Sequence, residues 1–178
     1  TAAVLIPFAD WMVKLSLKIV RDDKPEAERH PELHTLDEKL YNSPAMALAV
    51  TMKAVADGGR LAKLNFERGC KVLAKYDPGL VAEINKDEDC IDQFTDNTDR
   101  FLIGLSKTVE TEFDDRQLDM LMQTVPNFER IGDYATNMVE LAERLQSESA
   151  SFSETAKKEL ALITSAVNEI LDITVNAF

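Results

Sequence analysis

The sequence predicts an all-α fold: an up-and-down bundle of long antiparallel helices, preceded by a separate amphipathic N-terminal helix. Three observations carry that expectation. Gly and Pro number only six each in 178 residues, while Ala, Leu, Glu and Lys abound. That balance favours helix and disfavours sheet. Apolar residues recur at three- and four-residue spacing through several long stretches, the period of a helix with one buried face. The breaks between most of these stretches are short, which makes neighbouring helices antiparallel. The length suits one domain, or one domain with an appendage, and can bury a sizeable core.

The first predicted helix, residues 2–20, places Leu5, Phe8, Met12, Leu15 and Ile19 on one face. The stretch "RDDKPEAERHPELHTLDEKLYN" follows, rich in charge, broken by Pro25 and Pro31, and without a sustained apolar period. It reads as a linker, which divides the chain into a helix over 1–21, a linker over 22–41 and a bundle over 42–178. The second helix begins at "NSPAM". Ser43 is its expected cap and Pro44 its first residue, where the missing N–H costs nothing. It runs to about Lys75, and "DGG" (Asp57 to Gly59) marks either a kink or a close helix crossing. Asp77 and Pro78 start the third helix in the same way, with Leu80, Ile84, Ile91, Thr95, Thr98, Leu102 and Leu105 as its buried stripe.

"ETEFDDRQ" breaks the pattern before a fourth helix over about 115–146. That helix is expected to bury Leu118, Leu121, Val125, Phe128, Ala135, Met138, Val139 and Ala142. The polar "SESASFSET" offers Ser151 and Ser153 as caps for a last helix from about Glu154 to Ala177. No internal sequence repeat and no low-complexity tract is present.

Composition narrows the function. Lys and Arg number 20 against 32 Asp and Glu, a net charge of −12, which repels phosphate backbones and disfavours nucleic acid as a partner. Cys70 and Cys90 form neither a CxxC pair nor a disulfide framework, which suits a reducing compartment. No run of 18 or more apolar residues is present, so no segment reads as a membrane span from the sequence. There is no GxSxG, HExxH, P-loop or dinucleotide fingerprint. A di-metal enzyme of the bundle type needs Glu-x-x-His pairs, and none exists. His30 and His34 read as linker histidines, because Pro31 between them disfavours a helical metal pair. The expected protein is not an enzyme.

The informative feature is a pair of acidic stripes. One predicted helix carries Glu88, Asp92 and Asp96, with Asp99 nearby; the next carries Glu129, Asp133 and Asn137, with Glu140 one turn on. Residues four apart share a helix face, so like charges there repel. A hard cation turns that repulsion into ligation. At about 100° per residue, both triads lie roughly 80° to 170° from the centre of their apolar stripes, turned in the same sense. Antiparallel neighbours can therefore present both to one groove. Acidic flanks are more often plain solvated surface, and the absence of His from both triads weighs against zinc. Gly132, on the stripe's edge, reads first as a close-packing position, and Tyr134 as a packing or rim residue.

The segment "NFERIGDYATNMVELAE" resembles the signature of the PhoU family, and "EDCIDQF" resembles the matching acidic motif on the preceding helix. The resemblance implies a three-helix unit with a metal cluster on the acidic pattern of two adjacent helices. It maps those ligands onto Glu88 with Asp92 and onto Glu129 with Asp133; Asp96 and Asn137 extend the same faces. Iron or zinc is what the family implies, magnesium or manganese what an oxygen-only ligand set would also accept. The family's usual His stands here as Tyr134. Stand-alone PhoU regulators carry two such units in tandem, whereas this chain has one unit plus a final helix; a second chain, in a homodimer, could supply the missing half.

A second resemblance is to bacterial sodium/phosphate cotransporters. "LDEKLYNSPAMAL" looks like the segment that precedes their PhoU-like domain, and "TAAVLIPFADWMVKL" like the join where their last membrane helix enters the cytoplasm. It implies a non-catalytic regulatory domain of a sodium-dependent phosphate transporter, attached to a membrane transport domain of the same polypeptide at the cytoplasmic face of the inner membrane. Thr1 is then a cut end and not a native start. Trp11, Lys14, Lys18 and Arg21 on the flanks of the first helix suit a juxtamembrane position. The other expectation is a stand-alone PhoU-like regulator that docks on a transporter or a sensor kinase.

Overall fold

The computed structural model describes residues 30–178. The helix expected over 2–20, and the first part of the linker, lie outside the described residues. Contacts divide the chain at Pro31 and Glu32, and the bundle lies in the second unit, Glu32–Phe178. Among the described residues are four long helices, α1 (Pro44–Ala74), α2 (Pro78–Leu105), α3 (Glu112–Ser147) and α4 (Glu154–Ala177), and no strand. The helices run alternately up and down, as short connections require. α1, α2 and α3 pack mutually, and α4 lies on the outside, chiefly against α1.

The helix starts follow local chemistry. Asp77 caps α2 by accepting from the N–H groups of Gly79 and Leu80 at 2.8 and 3.4 Å. Ser153 caps α4 by accepting from Ala156 N at 3.1 Å. Two starts differ from expectation. The Ser43 side chain makes no cap hydrogen bond; its backbone N–H instead donates to Leu40 O at 2.9 Å, closing the 3-10 turn Glu38–Asn42 that leads into α1. α3 begins three residues earlier than expected, because Thr111 caps it. Its hydroxyl accepts from Asp114 N at 3.1 Å and donates to Asp114 Oδ2 at 2.7 Å. The run "ETEFDDRQ" thus ends the break with Glu110 and the cap Thr111, and its remainder is an acidic first turn favoured by the helix dipole.

"DGG" marks a close crossing, and α1 runs on without interruption through it. A Cβ on Gly58 would lie 2.7 Å from Phe94 Cε1, and one on Gly59 would lie 2.6 Å from Phe128 Cζ. The rings of α2 and α3 therefore rest on the two bare positions of α1, and all three helices draw together there. Leu48, Val55, Ile91, Leu102, Leu105, Leu121 and Val125 fill this part of the core, each at most 2% exposed. A second cluster, with Val72, Ile84, Ala135 and Val139, closes the other end. α1 and α2 are further tied by polar contacts. Buried Asn65 donates to Ile84 O at 2.9 Å, and Arg68 pairs with Asp87 and with Glu83.

The segment before α1 also packs on the bundle. Leu33 is buried, and Tyr41 lies over Gly104, its hydroxyl donating to Phe101 O at 3.1 Å.

Candidate metal centre

The acidic groove is set by one contact between α2 and α3. Gly132 is buried on α3, and a Cβ there would sit 3.2 Å from Ile91 Cδ1 of α2. The residues that follow each partner in sequence are Asp92 and Asp133. Close approach at Gly132 and Ile91 therefore brings these two carboxylates to the same rim of the interface. One turn back on α2, Glu88 joins them. Ligand oxygens of Glu88, Asp92 and Asp133 all lie within 4.8 Å of one another. Among the described residues, no Lys or Arg forms an ion pair with any of the three.

Electrostatics mark the same place. Burial lifts the Glu88 carboxyl above its ordinary pKa, and the charges of Asp92, Asp89, Asp133 and Glu129 add to it. Asp92 is raised by burial and by Asp133, Asp89 and Asp96. Glu129 is raised by burial, Asp133, Asp92 and Asp99, against a smaller lowering by Arg130. Partial desolvation and crowding of like charge both disfavour the ionised form. These carboxylates hold their protons more tightly than free ones and would give them up to a cation.

The six residues singled out from the sequence do not meet as one set. Glu88, Asp92 and Asp133 form the compact cluster. Glu129, one turn before Asp133, is electrostatically coupled to it but stands outside the ligand-distance group. Asp96 is exposed and lies 4.0 Å from Arg100, and Asn137 is exposed one turn beyond Asp133. Asp99, noted only as a neighbour from sequence, acts on Glu129 and is itself raised by burial and by Asp96. Tyr134, where the family's His would stand, is 57% exposed, outside the cluster.

The cluster fits a metal ion in size and chemistry. Oxygens on opposite sides of a hard cation, at bond lengths of about 2.1 to 2.4 Å, lie about 4.2 to 4.8 Å apart. An all-carboxylate set suits magnesium, manganese, calcium or iron better than zinc, which favours nitrogen and sulfur. Three protein ligands would leave coordination positions for water or an anion.

Fold and groove together place three carboxylates on one pair of adjacent helices, and the candidate chemistry of that arrangement is ligation by oxygen. Residues 55–142, from the middle of α1 through α2 to near the end of α3, match the family profile of the PhoU domain. The bundle is thus PhoU-like, and the whole cluster lies inside the matched region. PhoU-domain proteins are regulatory and non-catalytic, and the match associates this bundle with the regulation of phosphate uptake. No curated protein and no solved structure matches the chain.

Proposed function

We propose that this chain is the cytoplasmic regulatory domain of a sodium-dependent phosphate transporter, joined through its N-terminus to a membrane transport domain at the cytoplasmic face of the inner membrane. The observation that carries the reading is the PhoU match over α1–α3 with the carboxylate cluster at its centre. The transporter context rests on the cotransporter-like segment at residues 36–48, which forms the 3-10 turn and the start of α1, and on the cotransporter-like, basic-flanked residues 1–21.

In this account Glu88, Asp92 and Asp133 hold a divalent or trivalent metal, with Glu129 supporting its charge. A cation held there would supply positive charge towards an anion such as phosphate. The protein's part is to fix the oxygens on two helices whose spacing Gly132 sets. Occupying the site would tie α2 to α3, and the segment that Tyr41 anchors on α2 is the part of the bundle that leads towards residues 1–21. The stand-alone regulator, docking on a transporter or sensor kinase, is equally compatible with the PhoU match.

Phosphate uptake by cells carrying the natural gene separates these readings. A transporter domain predicts sodium-dependent uptake whose feedback by phosphate disappears when residues after Val20 are removed, and a product that sediments with membranes. Unchanged uptake and feedback would refute the regulatory role. A carbonate-extractable product would favour the docking regulator.

A further inference from the structure

α4 has two apolar faces, and the bundle uses one. Its inner face carries buried Leu171 and Val175 and half-buried Leu160 and Thr164, and Asp172 pairs with Lys63 of α1 at 2.6 Å. Its outer face carries Leu162 at 73% exposure, Ile163 at 61%, Ile170 at 61% and Ile173 at 65%. Exposed Ala166 and Ala177 lie in the same row. Ile163, Ala166, Ile170, Ile173 and Ala177 are spaced three, four, three and four apart. That alternation is the seam by which one helix packs along another. Two heptads are too few to argue this from sequence alone; the fold adds that these residues face solvent on a helix already anchored by its other side.

The seam is complementary to itself. Two copies laid antiparallel about a two-fold axis at the middle of the seam, level with the inward-facing Asn168, place Ile163 opposite Ile173 of the second copy and Ala166 opposite Ile170 of the second copy. Each small residue then meets a large one, as interdigitated packing requires. The four exposed Leu and Ile side chains offer roughly 500 Å² per copy. Complete burial of these side chains in the pair would remove about 1,000 Å², the threshold for a specific though weak interface. A lipid surface is a poorer occupant. Lys157 and Lys158 lie at one end of α4, while Glu159, Glu169 and Asp172 run along it, and a chain of net charge −12 is repelled by anionic headgroups. A bilayer span, which the length and hydropathy of α4 alone would allow, would strip Leu171, Val175 and the Lys63–Asp172 pair from α1.

We infer that the outer face of α4 is a homodimer interface, formed by antiparallel pairing with α4 of a second copy. Glu169 lies near the two-fold axis and faces its own equivalent, so the pairing strengthens with salt. The inference stands independently of the transporter reading.

Sedimentation equilibrium of the full chain, from about 10 to 500 µM in 0.15 M salt, tests it. A reversible dimer in the micromolar range is expected. Ile170→Glu should shift the chain to monomer with unchanged helicity, and Glu169→Gln should tighten the dimer several-fold. Ile103→Glu, at an exposed position on α2, should leave it intact. A monomer throughout the range, a dimer that survives Ile170→Glu, or one that Ile103→Glu also dissociates, would overturn the inference. So would a monomer whose binding to phosphatidylglycerol vesicles is lost in Ile170→Glu, since the face would then belong to lipid.

Discussion

Replacing Asp133 by Asn should make the metal-free protein more stable and the metal-bound protein less so. The size follows from the geometry. Asp133 faces Glu88 and Asp92 with oxygens within 4.8 Å. Two unit charges at that distance repel by about 0.9 kcal/mol at the dielectric of water, and more where water is partly excluded. The groove is half exposed and screened by salt, so the two repulsions together are worth about 1 kcal/mol and not their low-dielectric value. In a domain of this size, about 1 kcal/mol raises the melting temperature by about 2 to 4 °C. Asn is nearly isosteric and neutral, so little else changes. Circular dichroism melts in EDTA at low ionic strength measure the gain, which should shrink in 0.5 M salt. Added manganese should raise the wild-type melting temperature by selective binding to the folded state and should leave Asp133→Asn unmoved. If Asp133→Asn in EDTA melts at or below wild type, and manganese still stabilises it, the three carboxylates do not form one cation site.

Two further outcomes follow from the same structure. Gly59→Ala should destabilise the fold by about 1 to 2 kcal/mol in urea: overpacking against the Phe128 ring, 2.6 Å from the new Cβ, outweighs the helix-propensity gain of about 1 kcal/mol. Phe128→Leu in the same chain should recover part of that loss, and a stabilised Gly59→Ala would show that the rings do not sit on α1. The raised carboxyls of Glu88, Asp92 and Glu129 bind protons more tightly folded than unfolded. Their contribution to stability is fully present below the unfolded carboxylate range, near pH 4, and is lost as pH rises through the raised values. In EDTA, therefore, the stability advantage of Asp92→Asn over wild type should be largest at pH 7 and should vanish towards pH 4. Metal affinity should rise over the same range and weaken as pH drops towards about 4, because protons compete with the cation for the carboxylates.

Much of the bundle was legible because its signals are local. Pro44 and Pro78 mark first helical positions, Asp77 and Ser153 cap as their chemistry implies, and the ends of α4 fall where the pattern places them. The early start of α3 was hidden because Thr111 and Asp114 act within one turn, inside an acidic run without apolar periodicity. The meaning of Gly58 and Gly59 needed the tertiary fold, since the rings that fill their space come from two other helices. The acidic groove was legible as two same-sense stripes, but its membership was not. Whether Glu129 or Asp133 meets Glu88 and Asp92 depends on the stagger of α2 along α3, which Ile91 and Gly132 fix. The second face of α4 looked like ordinary helical content. Only its exposure beside a filled inner face distinguishes it.

The metal site is the central claim, and metal content tests it most directly. The 178-residue chain purified without chelator or metal-affinity resin, then measured by elemental analysis, should carry a transition or alkaline-earth metal well above trace, at about one or more per chain. Asp92→Asn with Asp133→Asn should carry none while keeping wild-type helicity. A folded wild-type protein that holds no metal and takes up none from manganese, iron or magnesium solutions would contradict the account.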